Sequence, residues 1–376
     1  MLLYKLNKKV LLIIPIVIIA LVTSVLFLQL NNKSSNGSNS DDDDSTLPPA
    51  DKNVLKGDRL LGIDVNPAYG VDYDAAIDIA NTTGMDFVSL SFGWNDIETT
   101  PLNYTNENLW IANNYYPPRN CKIALIIAPI DTNVNRMPTD IKDQPINDTE
   151  VISRFNAMLY NVSTQLNTVD LISLSIGNEV NTYLGADQEA WANYTDFFNQ
   201  TSKYARTLWP SIKIGCKTMF KALIETNKNE IFMLNNFSDV IMTTYYPLND
   251  DFSVKPLSVL REDFDNITEL YENREIYFLE VGYPSNTTLG SSNSTQAAFI
   301  EEIFRQWDSN IDQVKLIHIV WLHDKSTAEV NYFCDYYNIH SENFKAYIGS
   351  IGIRTSNGID KDAFLKLKNM AHTRGW

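Results

Sequence analysis

Asp170-Leu-Ile-Ser-Leu-Ser-Ile-Gly-Asn-Glu-Val180 is an apolar run that stops abruptly at Gly177-Asn178-Glu179. Its length and composition predict a buried strand. An ionised carboxylate is costly to bury, so one carried on the tip of a core strand needs a partner or a task. The chain repeats the device in Glu275-Ile-Tyr-Phe-Leu-Glu280-Val-Gly-Tyr-Pro-Ser285, where Glu280 ends a second apolar run.

Working outward from these two stretches, the sequence from Arg59 alternates short apolar runs with longer amphipathic ones. Strands are predicted over 60–65, 87–92, 123–128, 170–180, 212–216, 239–246, 275–280 and 314–321. Helices are predicted between them, among them one from Thr149 capped by Asn147 or Asp148, one over 188–208 stopped by Pro210, and a closing helix over 361–370. Strands too apolar to face water, each followed by a helix, imply a parallel sheet, and eight such units close a (β/α)8 TIM barrel of the α/β class. An open doubly wound sheet is disfavoured because no Gly-rich phosphate turn follows an early strand.

In a barrel of this kind functional groups gather at the C-terminal ends of the strands. Those ends carry Asp64 and Asn66; Trp94, Asn95, Asp96 and Glu98; Asp131 and Asn133; Asn178 and Glu179; Lys217; Tyr245 and Tyr246; Glu280 and Tyr283; and Trp321, His323 and Asp324. Aromatic rings beside amides and carboxylates suit a sugar, with rings against C–H faces and polar groups on hydroxyls. Two carboxylates are the equipment for breaking a glycosidic bond. The three histidines His318, His340 and His372, with His323, form no metal-ligand pattern, and the chemistry calls for no metal or organic cofactor.

The strand-four GNE and the strand-seven Glu resemble the clan A retaining glycoside hydrolases over the whole chain from about Arg59. DVIMTTYYPL and FLEVGYPS are most similar to family 53, the endo-β-1,4-galactanases, with some likeness to family 17. The resemblance implies Glu179 as acid/base, Glu280 as nucleophile and Asn178 on the sugar 2-hydroxyl. It also implies Tyr245 or Tyr246 on the nucleophile and a tryptophan, here Trp321, at the end of strand eight, while their places at strand tips offer Trp94, Trp321, Asp64 and His323 as substrate contacts. Many clan members place an arginine near the end of strand two. None occurs over 87–96 here, which leaves Lys217 or His323 as the substitute. The same two glutamates serve a cell-surface transglycosylase, and a silent glycan-binding barrel is the alternative from another class.

The N-terminus sets the location. Val10–Leu30 is an apolar run preceded by Lys5, Lys8 and Lys9, long enough to span a bilayer with a cytoplasmic tail at 1–9; a long cleaved signal is the other reading. Residues 31–57, with four consecutive Asp and then Pro48-Pro49, read as a flexible linker, leaving 58–376 as a catalytic domain, taken as monomeric. Asn-x-Ser/Thr acceptors such as Asn81, Asn103 and Asn161 agree with an extracytoplasmic glycoprotein at the cell membrane. The net charge of −16 excludes a phosphate-binding nucleic-acid partner. Cys121, Cys216 and Cys334 are too few and too scattered for a disulfide scaffold and read as buried thiols.

Overall fold

A computed structural model describes residues 54–104 and 106–376. The predicted tail and anchor, and most of the linker, lie outside the described residues. Eight parallel strands, β1 (Leu60–Ile63), β2 (Phe87–Gly93), β3 (Lys122–Asp131), β4 (Leu171–Asn178), β5 (Lys213–Met219), β6 (Ile241–Tyr245), β7 (Ile276–Val281) and β8 (Val314–Ile319), pair in chain order. β8 also pairs with β1, Leu60 opposite Leu316 through Ile63 opposite Ile319, so the sheet closes and the open alternative falls. Among the described residues no helix is long and apolar enough to cross a membrane.

The principal helices are α1 (Tyr73–Asn81), α2 (Glu107–Tyr115), α3 (Thr149–Gln165), α4 (Gln188–Leu208), α5 (Lys228–Asn235), α6 (Val259–Leu270), α7 (Asn293–Ser309), α8 (Thr327–Tyr337), α9 (Glu342–Ile348) and α10 (Asp362–His372). Of the two candidate caps for α3, Asp148 serves: its side chain accepts from the Glu150 amide. α4 shows how the shell is held. Trp191, Tyr194, Phe197, Phe198 and Ala205 recur at helical spacing and are buried against the strands.

The barrel interior is filled rather than open. Phe87, Ala124, Met242, Tyr277, Leu279 and Leu316 pack its lower half. Gly62 belongs to this layer because a Cβ there would stand 2.4 Å from the Phe87 ring and 2.6 Å from His318. Strand alternation then turns Asp64, two residues on, into the same interior one layer higher. Polar groups can therefore collect only at the C-terminal mouth.

Two sequence expectations need correcting. β5 runs past Cys216 to Met219, since Lys217, Thr218 and Met219 pair with Met242, Thr243 and Thr244; polar residues at a strand end read as loop although the ladder continues. More importantly, two helices, α8 and α9, stand between β8 and the closing helix. Ser326 and Glu329 form a reciprocal capping box at the start of α8, the signal that announces it. Their apolar faces make a second core over the barrel mouth, with Phe252, Trp321, Phe333, Tyr337, Phe344, Tyr347 and Ile351. The three cysteines are free and buried, as the sequence suggests.

The tip of β4 is irregular. Its register shifts against β3 beyond Ile127 and against β5 beyond Ser175. Gly177 has φ +97°, and a Cβ there would fall 2.2 Å from the Tyr194 hydroxyl, which donates to the Ile176 carbonyl at 3.0 Å. Gly177→Ala is expected to lower stability by about 2–4 kcal/mol, from left-handed strain plus the clash. Urea unfolding checks this, and an unchanged midpoint would show that the turn is not fixed by Tyr194.

Candidate active site

The bulged tip of β4 delivers Asn178 and Glu179 together into the mouth, with Glu179 itself at φ +44°. Glu179 is fully buried. Its Oε1 accepts from the Thr244 hydroxyl at 2.8 Å and its Oε2 from the Thr132 hydroxyl at 3.2 Å. A hydroxyl can donate to a carboxylate or accept from a carboxylic acid, so this setting accommodates both protonation states.

Glu280, near the end of β7, is also fully buried. The Lys217 ammonium bonds its Oε1, and the Tyr246 phenol donates to its Oε2 at 2.8 Å. Burial pushes the Glu280 carboxyl above the usual range, while Lys217 and then Tyr246 pull it back. The two carboxyls share one site. Thr244, which bonds Glu179, sits opposite Glu280 in the β6–β7 register, and the Tyr246 phenol feels the charge of both.

Asn178 stands opposite Asp131 on β3 and Lys217 on β5. Its Nδ2 donates to Asp131 Oδ1 at 2.7 Å, and its Oδ1 is buried without a protein partner. Asp131 Oδ2 accepts from the Tyr336 hydroxyl at 2.9 Å, which in turn accepts from Arg136 at 3.1 Å. Burial pushes the Asp131 carboxyl up, and its bonds to Asn178 and Tyr336 draw it back. Tyr337 on α8 and Tyr347 on α9 are buried over the mouth, with hydroxyls that lack a protein partner and lie in the field of Glu179 and Glu280. A groove of about 630 Å³, lined by Asn133, Asp250, Phe252, Tyr337, Ser341 and Asn343, lies beside them.

The chain superposes on a GH5_18 structure from Streptomyces cattleya in complex with GlcNAc at TM-score 0.66, with 14% identity over 84% of this chain and 80% of that one. It superposes on a GH5_18 structure from Bifidobacterium longum subsp. infantis at TM-score 0.65 and 11% identity, over 84% and 78%. Xylanase 10B from Thermotoga maritima gives TM-score 0.63 and 15% identity, over 84% and 96%. The likeness is one of fold. No protein-family model matches the chain, and no curated protein does. The finer likeness to families 53 and 17 therefore remains a resemblance of motifs.

Of the residues singled out in the sequence, Asp64, Asn178, Glu179, Tyr246, Glu280 and Trp321 meet at the mouth. Three do not. Trp94 packs edge-on against Phe155 of α3 at 5.0 Å and gives its indole N–H to Glu98 at 2.8 Å, so it braces the shell and not the site. Tyr245 points outward among Phe220, Phe264 and Phe278 and donates to Asp263 at 2.7 Å; the strand alternation selects Tyr246 instead. His323 is a bracket. Its Nδ1 donates to the Asn66 carbonyl at 2.6 Å, its Nε2 accepts from Arg354 at 3.3 Å, and burial holds its imidazole below the ordinary range. Lys217, one of the two substitutes offered for the strand-two arginine, is the cation on Glu280. Tyr336, Tyr337, Tyr347 and Lys325 escaped the sequence reading because their helices did; the Ser326–Glu329 capping box was the available signal.

Lys217→Met leaves a buried carboxylate without its cation and is expected to cost about 3–5 kcal/mol at pH 7. The loss has a defined pH dependence. Without Lys217 the push of burial on Glu280 is opposed chiefly by the Tyr246 bond, and an acid raised in the folded state stabilises only when protonated. The deficit therefore shrinks as pH falls from 7 toward the ordinary glutamate range. Urea unfolding of both proteins from pH 7 to pH 5 measures it, and a pH-independent gap would remove Glu280 as the cause.

Proposed function

We propose that this chain is a retaining glycosidase acting on a β-linked saccharide by double displacement, with Glu280 as nucleophile and Glu179 as acid/base. The observation that carries the reading is the unequal support of two carboxyls in one site. Glu280 is held by an ammonium and a phenol, which favour the anion, whereas Glu179 is held by threonine hydroxyls, which tolerate a proton. The fold shared with GH5_18 and xylanase structures is consistent with it, and a GH5_18 variant from Streptomyces cattleya is a complex with Manβ1-4GlcNAc.

In this reading Glu280 attacks the anomeric carbon as Glu179 protonates the departing oxygen, giving a glycosyl ester and the released alcohol. Esterification removes the negative charge of Glu280, so the repulsion that keeps a proton near Glu179 is gone. Glu179, now a carboxylate, takes a proton from water, and the hydroxide oxygen displaces Glu280 with net retention. Tyr246 and Lys217 hold the nucleophile in line, and Asn178 meets the 2-hydroxyl. Transfer to a sugar acceptor in place of water follows the same steps.

On an activated β-aryl glycoside, Glu280→Ala is expected to lower kcat by at least about 10⁴-fold, and azide to restore turnover as the inverted glycosyl azide. Glu179→Ala should retain the first step on a dinitrophenyl leaving group yet stall on an alkyl one. Equal losses on both leaving groups, or an active Glu280→Ala enzyme, would overturn the assignment.

The proposed setting is the extracytoplasmic face of a membrane, with Val10–Leu30 as anchor. Full-length chain is expected in the membrane fraction after alkaline wash, and a chain beginning at Asp51 in the supernatant. Recovery of both in the supernatant would refute the anchor.

A further inference from the structure

The side chain of Asn178 has two unlike ends, an NH2 that only donates and a carbonyl that only accepts. Which end faces the mouth decides what kind of group Asn178 recognises, and the residues behind it fix the choice. Asp131, across the β3–β4 register, takes the Asn178 Nδ2 on its Oδ1 at 2.7 Å. A carboxylate has no proton to offer, so only the NH2 end of the amide can bond it. The amide is planar, which turns its Oδ1 away from Asp131, and that atom is buried with no protein partner. The backbone is held as well, because the Thr132 N–H donates to the Asn178 main-chain carbonyl at 2.8 Å.

This polarity holds while Asp131 is an anion, since a carboxylic acid could donate to Asn178 and turn the amide over. Burial favours the acid; the bonds from Asn178 and Tyr336 and the charge of Arg136 oppose it. The chain of donors runs in one direction. Arg136 can only donate, and it bonds the Tyr336 oxygen at 3.1 Å. The phenol proton is then left for Asp131 Oδ2, at 2.9 Å. Arg136 is itself held by Asn95 at 3.0 Å and Asp96 at 2.6 Å, just past β2. Its place depends on Gly93, where a Cβ would stand 2.4 Å from the Arg136 Nε. Side chains from β3, the loop after it and α8 thus converge on one outcome, a bare carbonyl oxygen at the tip of β4.

We infer that Asp131 is a positioning residue which, through Asn178, makes the subsite beside Glu280 require a hydrogen-bond donor at C2 of the bound sugar. This rests on the glycosidase reading, in which Asn178 meets the 2-hydroxyl. A hydroxyl there gives its proton to Oδ1 and keeps its oxygen for other donors. A 2-deoxy sugar leaves the buried carbonyl unsatisfied. A 2-deoxy-2-fluoro sugar is worse, because fluorine sets lone pairs against that oxygen. Asp131 and Arg136 act without touching the sugar, and their influence passes through one amide.

Binding reads the polarity without turnover. The full chain would be titrated calorimetrically with the methyl β-glycosides of D-glucose, D-galactose and D-mannose, then with the 2-deoxy and 2-deoxy-2-fluoro forms of the tightest binder. The parent should bind on the order of 10–100-fold more tightly than the deoxy form, with the fluoro form weakest of the three. In Asp131→Asn, Tyr336 still donates to the carbonyl of the new side chain, whose NH2 then faces Asn178 and turns that amide over. The fluoro form should now bind more tightly than the deoxy form, a reversal that loss of packing alone does not produce. In Asn178→Ala the deoxy and fluoro forms should bind alike, within about twofold. The proposal is overturned if the native chain binds the fluoro form as tightly as the deoxy form, or if either folded variant keeps the native order. Failure of the native chain to bind any of these sugars also overturns it. Should Asp131→Asn not fold, the native order together with Asn178→Ala still decides. A chain with the expected order that cuts no aryl glycoside supports the C2 reader and removes the glycosidase reading. One that cuts aryl glycosides but binds the fluoro form as tightly as the deoxy form does the reverse.

Discussion

The contact between Lys217 and Glu280 is the constraint on which the mouth of this barrel depends. Both groups have essentially no access to water, and either one alone would be prohibitive in that position. Together they are tolerable only if their remaining valences are met, which is what Tyr246 does for Glu280 Oε2. The neighbours follow from the same requirement. Asp131, stacked in register one strand beyond Asn178, is given two hydrogen bonds, and the second reaches Arg136 through Tyr336. The site is a connected network in which each buried charge is moderated by the next one.

Such a network could not be hung on regular strands. Side chains alternate across a regular strand, so neighbouring residues cannot both face the interior. The register shifts near the ends of β4, β6 and β7 break the alternation where it is needed, bringing Asn178 with Glu179 and Thr244 opposite Glu280. Gly177 makes the first of these possible and Glu179 carries the strain. The outer shell keeps strict alternation by contrast: Tyr245, one residue from Tyr246, is wholly occupied with Phe220, Phe264 and Phe278.

This division explains what could be read from the sequence. Strand order, barrel closure and the meeting of Asn178, Glu179 and Glu280 at the mouth were legible because they depend on local apolar runs that end in charge. The choice between Tyr245 and Tyr246 was not, since a shift of a single residue exchanges the two faces. Trp94 misled because a tryptophan at a strand tip can turn either way; the buried ion pair of Glu98 with Arg154 draws its indole N–H outward. His323 misled for a similar reason, its ring nitrogens being taken by Asn66 and Arg354. Lys325 and the lid tyrosines were invisible because their position depends on two short helices resting on a core of their own.

The two cores imply a separation of tasks within one chain. The strands and the eight-fold shell fix Glu179, Glu280, Asn178 and Lys217 through backbone register, which any change of loop sequence leaves intact. Tyr336, Tyr337, Tyr347 and Lys325 meet that fixed layer from the segment after β8, Tyr336 through its bond to Asp131 of β3. What the barrel holds constant is the pair of carboxyls and the cation that moderates one of them. What the segment after β8 contributes is the roof and the second cation, and these set the shape and charge of whatever fits beneath. On the proposed glycosidase reading, a site whose chemistry and selectivity come from different parts of the fold can change its substrate without disturbing its nucleophile.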